Sequence, residues 1–461
     1  MMQRQATARL MLEVVPAAPS PRGPLERLLR LFTDVRDGEG PQLLLLTLNV
    51  FLILTAYYVM KPVREALILD QPGGAELKSY AYAAQAVLLL VLVPLYDALA
   101  TRLPRRRLIN VVTSFFVACL PAFYLLAEAK APVGLVFFLW IGVFSLMVTA
   151  QFWAYANDVY TSDAGKRLFA VIAFGASSGA VFGAWVSSHL IRAIGVNALL
   201  LAAAAILALS LILFNIIDLR SQAARHTGTG PAKEDVPIGV GNAFALVLRN
   251  RYLLLMASVI FLLNWVNTSG EYILSSIVKH AADAEVAAGT LRAGDEGRFI
   301  GAFFAEFFQV VNVAGMLLQL FVVSRFVKYI GVPVALCILP LVALGSYTVA
   351  AMIPSLAIMR WVKIAERSVD YSLMNTVRQM LFLPTTREEK YKAKQVIDSL
   401  VVRIGDVLSA GTVYAGTTFF ALTASQFAWI NVVLGLGWLA LAVATGLEFR
   451  RRVPVQEAQR P

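Results

Sequence analysis

Apolar segments long enough to cross a bilayer recur along most of this chain, and the polar residues between them come in short clusters. A single span needs roughly 20 apolar residues. The pattern predicts twelve membrane helices, at 42–68, 80–101, 107–128, 132–158, 167–192, 197–218, 252–279, 301–325, 332–352, 355–382, 397–422 and 427–448. Ahead of them, Leu25, Leu28, Leu29 and Phe32 repeat at helical spacing with Arg27 and Arg30 between, which fits a short amphipathic surface helix or a plain lead-in. Arg4, Arg9, Glu13 and several prolines break up any signal-peptide core there. The longest internal polar stretch, 219–251, carries Gly228, Gly230 and Pro231 and falls midway. The expected fold class is therefore an all-α membrane protein with two six-helix bundles. A cytoplasmic segment 1–41 precedes the bundle 42–218, a cytoplasmic linker 219–251 leads to the bundle 252–448, and a cytoplasmic tail 449–461 follows.

Composition sharpens this. Of 461 residues, 59% are hydrophobic and 15% charged, against about 25% charged in soluble domains. That excludes a water-soluble enzyme and a disordered chain. The net charge of +11 would suggest nucleic acid in a soluble protein. Here the distribution matters more: with both termini inside, 27 Lys and Arg fall on the cytoplasmic side and 6, including Lys78, on the other. The positive-inside rule accounts for such a bias, so the expected setting is the inner (cytoplasmic) membrane, with the lipid bilayer and no nucleic acid as partner. Cys119 and Cys337 lie inside apolar runs, and His189, His226 and His280 form no ligand-spaced cluster. No metal and no cofactor are expected, and a monomer is.

The two bundles share a local pattern. Thr101-Arg102 followed by Arg105-Arg106, and Ser324-Arg325 followed by Lys328, occupy matching places after the second helix of each. Two parallel six-helix halves with such loops resemble the major facilitator architecture.

A charge at the bilayer centre costs about 2.5–3.5 kcal/mol on insertion scales. The tenth segment nevertheless carries Arg360, Lys363, Glu366, Arg367, Asp370 and Arg378. At about 100° per residue they fall in one arc of roughly 120°, and Leu356, Ile364, Leu373 and Leu381 take the other side. Arg367 lies about 20 Å along the helix from Pro354, too deep to reach the surface. Such a stripe is expected to line an aqueous cavity, the competing reading being a structural network of pairs. In the first segment, Tyr57, Lys61 and Arg64 share a face around Pro62, which combines a ring for stacking with cations for phosphate, or else forms an ordinary outer anchor. Gln151 and Asn157 make the fourth segment polar, while Gly175, Gly179 and Gly183 suit close helix packing in the fifth. Lys392 and Lys394 precede an eleventh segment that holds Asp398 and Arg403. A cationic cavity of this kind favours an anionic, phosphorylated and aromatic solute. There is no nucleophile–base–orienter set and no GxxxxGK[ST] loop, so hydrolysis is not expected.

Four stretches together resemble the nucleotide (ATP/ADP) translocases of bacteria and plastids, distant members of the major facilitator superfamily. They are Tyr57-Tyr58-Val59-Met60-Lys61-Pro62-Val63-Arg64-Glu65; Phe152-Trp153-Ala154-Tyr155-Ala156-Asn157 with Asp163-Ala164-Gly165-Lys166-Arg167; Asp370-Tyr371-Ser372-Leu373 with Arg378; and Glu388-Glu389-Lys390-Tyr391-Lys392-Ala393-Lys394 with Ile397-Asp398. The resemblance implies exchange of a nucleotide across a membrane, with the family's functional basic residues falling on Arg64 and on Lys392 or Lys394. Its acidic positions fall on Ile141 and Asn267, and Glu271 lies one turn past the latter. The expected function is a secondary-active transporter moving an ATP/ADP-like nucleotide or related phosphorylated anion by exchange. Two alternatives stand beside it: a proton-coupled permease using Glu271, Glu306, Glu366 or Asp370, and a non-transporting membrane sensor or scaffold.

Overall fold

A computed structural model describes residues 33–36, 39–160, 162–225 and 243–458 of the chain. Its elements are helices: α1 (Gly40–Leu69), α2 (Gly74–Arg102), α3 (Arg105–Glu128), α4 (Gly134–Val159), α5 (Ser162–Ile194), α6 (Leu199–Arg225), the short α7 (Ala243–Arg249) and α8 (Arg251–Ala287). Next, α9 (Glu296–Leu317) passes through a π-helical stretch at Leu318–Val323 into α10 (Ser324–Ile330), and α11 (Val332–Met352) follows. Two further helical segments are likewise interrupted: α12 (Leu356–Val369) and α13 (Asn375–Met380) flank π turns at Asp370–Met374, and α14 (Arg387–Gln395) and α15 (Val402–Phe419) flank Val396–Val401. The last helix is α16 (Ala424–Ala458).

Ten helical stretches are long and apolar enough to cross a membrane, not twelve. The two expected spans that fall short, 355–382 and 397–422, are helical but carry the charges that lower their hydropathy. The second span also starts earlier than its apolar run. Helix α2 begins at Gly74, so Lys78 is a helical residue, not an outer-loop cation, and is only 1% exposed. The expected amphipathic segment 25–32 and residues 226–242 of the expected linker lie outside the described residues.

Small residues set the closest packing. A Cβ on Gly175 would meet the Thr47 methyl at 2.5 Å, and one on Gly179 or Gly183 would sit 2.9 Å from the Cα of Phe51 or Thr55. The glycine row of α5 therefore lies directly against the backbone of α1, the close approach that small residues permit in membranes. Pro62 lacks the N–H that would bond the carbonyl of Tyr58. The Ser187 hydroxyl of α5 reaches into that gap, 3.4 Å from the Tyr58 oxygen and 3.2 Å from that of Val59. The helix accordingly runs through Pro62 to Leu69.

Two apolar cores result. One is built wholly from residues between Val35 and Ile217. The other is built mainly from residues between Val247 and Phe449, joined by Tyr58, Ile68, Leu69, Ala75, Ala81, Phe138, Ala180 and Ala184. Those eight mark where the first part of the chain presses against the second.

Candidate functional site

One end of the bundle carries the connections at 70–73, 195–198, 288–295 and 353–355. Near this end, polar contacts join the first six helices to the later ones. The Ser188 hydroxyl donates to Gln309 at 2.8 Å and Tyr272 to Glu76 at 3.1 Å, while farther along the same junction Asn312 donates to the carbonyl of Ala180 at 3.2 Å. Glu306 takes Arg192 from α5 and, at 3.1 Å, Arg360 from α12.

Deeper in, the contacts become a buried ionic network. Lys78 Nζ lies 2.7 Å from Glu65 on α1, 3.0 Å from Glu271 on α8 and 2.9 Å from the Ser275 hydroxyl. Glu65 also holds its neighbour Arg64, whose guanidinium lies 4.6 Å from the centre of the Phe138 ring. Glu271 accepts twice from Arg367, at 3.1 and 2.5 Å, and Arg367 reaches Asp370 at 3.4 Å. Asn267 donates to the same Asp370 at 3.0 Å. To one side, Lys363 Nζ sits 2.8 Å from Glu366 and 3.1 Å from the Tyr347 hydroxyl. Gly270 makes room for this trio, since a Cβ there would meet Lys363 Nζ at 2.9 Å and overlap the Tyr347 hydroxyl. Burying charge costs several kcal/mol per ion unless it is paired and hydrogen-bonded, and each of these four cations has its carboxylate.

Lys61 is different. Its Nζ lies 4.2 Å from the Phe308 ring centre, 4.9 Å from Tyr58, 5.7 Å from Tyr371 and 5.8 Å from Tyr57. Its hydrogen-bond partner is the Tyr371 hydroxyl at 3.5 Å. No carboxylate lies within ion-pair distance of it among the described residues.

Immediately beyond Tyr58 and Tyr371 opens a cavity of about 640 Å³ between the two parts of the chain, with Ser177, Asn312, Asp370 and Arg378 among its lining residues. Small-molecule sites typically span about 300–1,000 Å³.

The charged stripe is thus not one cavity-lining face. Lys363 and Glu366 are buried, 0% and 2% exposed, and pair with each other, which corrects the expectation for that part. Arg360 pairs with Glu306 toward the closed end. Asp370 and Arg378 do line the cavity. The π turns at 370–374 set Arg378 apart from Arg360: a wider turn advances fewer degrees per residue than the about 100° of an α-helix, so residues after it leave the face of those before it. Of the opposite side, Ile364, Leu373 and Leu381 pack inside the protein.

The remaining candidates scatter. Arg378 pairs with Asp398 at 3.0 Å, and Lys394 donates to Gln379 at 2.6 Å with its Nζ 5.7 Å from the Phe382 ring centre. Lys392 stands two residues before Lys394 on α14, half-buried. Gln151 is buried beside a separate small cavity with Asn49, Thr113 and Ser210, away from the central one. Asn157 is exposed and donates to its own helix at the Trp153 carbonyl. Arg403 pairs with Asp406, which accepts from Thr268 within the C-terminal part. The pattern reading missed Lys78, Glu65 as its partner, and the ring set of Tyr58, Phe308 and Tyr371. Gly73-Gly74, a natural break before α2, was the available signal for Lys78.

A helical membrane bundle with a ligand-sized cavity between its two parts, joined across one end by polar contacts, defines a multi-pass membrane protein of the transporter fold. Solved structures share it: the nucleoside transporter NupG aligns at a TM-score of 0.60 with 14% identity, covering 87% of this chain and 98% of its own. A bacterial homologue of the lysosomal transporter Spinster, inward-facing and unoccupied, aligns at 0.59 with 14% identity over 91% and 99%. Residues 22–129 match the family model described as TLC ATP/ADP transporter. ADP,ATP carrier protein 1 of Chlamydia trachomatis and its namesake in Chlamydia muridarum are each 22% identical, over 92% of this chain and 93% of theirs. The chain is thus similar to the nucleotide (ATP/ADP) translocases, along most of its length to the carriers and over residues 22–129 to the family model.

Proposed function

We propose that this protein is a secondary-active transporter that exchanges an ATP/ADP-like nucleotide or a related phosphorylated anion. The two halves, 42–218 and 252–448, rock about the central cavity, and 219–251 links them. The observation that carries this reading is the cavity between the halves, with Tyr58, Tyr371 and Arg378 on its wall and Lys61 held behind those two rings. Rings suit a base, and the cations suit phosphate. The names of the relatives point the same way.

In this reading the two charged segments, 356–380 and 387–419, complete twelve crossings with the ten apolar stretches. Both termini and the basic loops face the cytoplasm of an inner membrane, and the monomer is the working unit. The sealed end then faces outward. Glu271, Glu366 and Asp370 are each engaged by a cation, which favours exchange over a carboxylate acting as a free proton carrier. No hydrolytic step is required of any residue.

Counterflow in proteoliposomes tests the function. Vesicles loaded with ATP or ADP should take up labelled nucleotide without an ion gradient. No counterflow with any nucleotide, together with uptake of another solute driven by a pH gradient alone, would reject the proposal in favour of a proton-coupled permease.

A further inference from the structure

We infer that Lys61 enforces the coupling of exchange: its unmatched charge keeps the empty carrier from reorienting, and the phosphate of a bound substrate releases it. This rests on the transport reading above and adds the control of the same site.

The argument starts from charge. Around the inner end of the cavity, Arg64, Lys78, Lys363 and Arg367 are each met by Glu65, Glu271, Glu366 or Asp370. Lys61 is the fifth cation, and no fifth carboxylate faces it among the described residues. The cluster therefore carries one positive charge in excess, and that excess sits at Lys61.

In the conformation described here, that charge is tolerable. Ring faces surround Nζ, the nearest centre at 4.2 Å, and ring quadrupoles attract a cation. Tyr58 and Tyr371, which contact it, also line the cavity. To present the site to the other side, the sealed end must part and the cavity must close. The rings that hold Lys61 come from both parts of the chain, Tyr57 and Tyr58 from α1, Phe308 from α9, and Tyr371 from the π turns after α12. Any motion between those parts pulls the cage open while shrinking the cavity. A buried ammonium without a counter-ion that loses its ring cage opposes that transition. A phosphate oxygen placed at Nζ supplies the missing negative charge. The loaded carrier can then cross, the empty one cannot, and the result is obligatory exchange.

The reorientation test needs no knowledge of the substrate. Spin labels at Ala193→Cys and Ala288→Cys, with Cys119→Ala and Cys337→Ala, report the separation of the two parts at the sealed end. Without ligand, the wild-type background should give one short distance, and Lys61→Met should add a longer population. Lys61→Arg, which keeps the charge, should resemble the wild type. In proteoliposomes, wild type should not fill empty vesicles, whereas Lys61→Met should raise uptake into empty vesicles by at least about tenfold relative to wild type.

A ligand-free Lys61→Met protein with the wild-type distance overturns the inference, whether or not nucleotide is the substrate. So does wild-type protein that fills empty vesicles as fast as loaded ones, a result that holds even if no Lys61 variant folds. Failure of nucleotide counterflow with the distance shift intact rejects the substrate and leaves the lock standing.

Discussion

Lys78 offers the most direct test of the ionic seal. It is 1% exposed, and its ammonium bridges Glu65 of α1 and Glu271 of α8. Lys78→Met removes that bridge while preserving most of the volume. Stripping one partner from a buried pair costs about 3–5 kcal/mol when the remaining charge is left alone. Here Glu65 keeps Arg64 and Glu271 keeps Arg367, so the cost drops to that of an under-satisfied buried group, about 1–3 kcal/mol. The bonds to Glu271 and Ser275 cross between the two parts of the chain, so this cost falls on the sealed arrangement more than on either part alone. A loss of about 2 kcal/mol raises the population parted at that end roughly 30-fold. Ala66, 1% exposed and packed against Gly301 across the junction, reports it. In a background with Cys119→Ala and Cys337→Ala, a membrane-impermeant maleimide should modify Ala66→Cys about 10–100 times faster when Lys78→Met is present, because labelling tracks the open population. Lys78→Arg should stay near the parent rate. Folded Lys78→Met protein with an unchanged labelling rate and a lowered Tm would show that the lysine serves the fold and not the seal.

Three further outcomes are expected. Arg367→Gln should abolish counterflow, and the double variant Arg367→Gln with Glu271→Gln should regain Tm but stay inactive; recovered flux in the double variant would reduce Arg367 to a structural partner of Glu271. Gly183→Val should cost about 1–3 kcal/mol or more, seen as lost folded protein in detergent, because its side chain must displace the Thr55 backbone; wild-type yield and Tm would refute the close α1–α5 contact. At the start of α1, burial would raise the Glu39 carboxyl, but hydrogen bonds from Arg167 and the Arg36 N–H hold it below the ordinary carboxylate range. Its stabilisation is therefore present above the unfolded value and lost as pH falls through the folded one. The Tm gap between wild type and Arg167→Met should be full at pH 7 and narrow below about pH 4, and a gap independent of pH would exclude the ion pair as its source.

How legible each feature was in the sequence follows from what carries it. Apolar runs announce membrane helices because backbone groups must be satisfied internally and side chains must be apolar over the whole span. Hence α1, α3, α4 and α11 begin and end within two residues of the pattern. The early start of α2 escaped because Glu76 and Lys78 interrupt its run, and both are satisfied by distant helices, Glu76 by the Tyr272 hydroxyl and Lys78 by the Glu271 carboxylate. A helical wheel assumes one pitch, so it grouped Arg360 with Arg378 and could not foresee the π turns between them. The excess of one cation over its partners was equally hidden in composition: only folding brings Lys61 beside Phe308 and leaves Asp370 to Arg367 and Asn267.

The π-helical stretches give the molecule a mechanical polarity. All three among the described residues, at 318–323, 370–374 and 396–401, lie in the C-terminal part, and the glycine-seated α1–α5 pair lies in the N-terminal part. Two halves that echo each other in loop pattern are thus unequal as materials. Both hold glycines that let one helix rest on the backbone of another, but among the described residues only the C-terminal part also has wide turns within its helices, each able to trade a wide turn for a tight one without unfolding. In the proposed rocking, bending falls on those turns, so gating is expected to draw more on the C-terminal half.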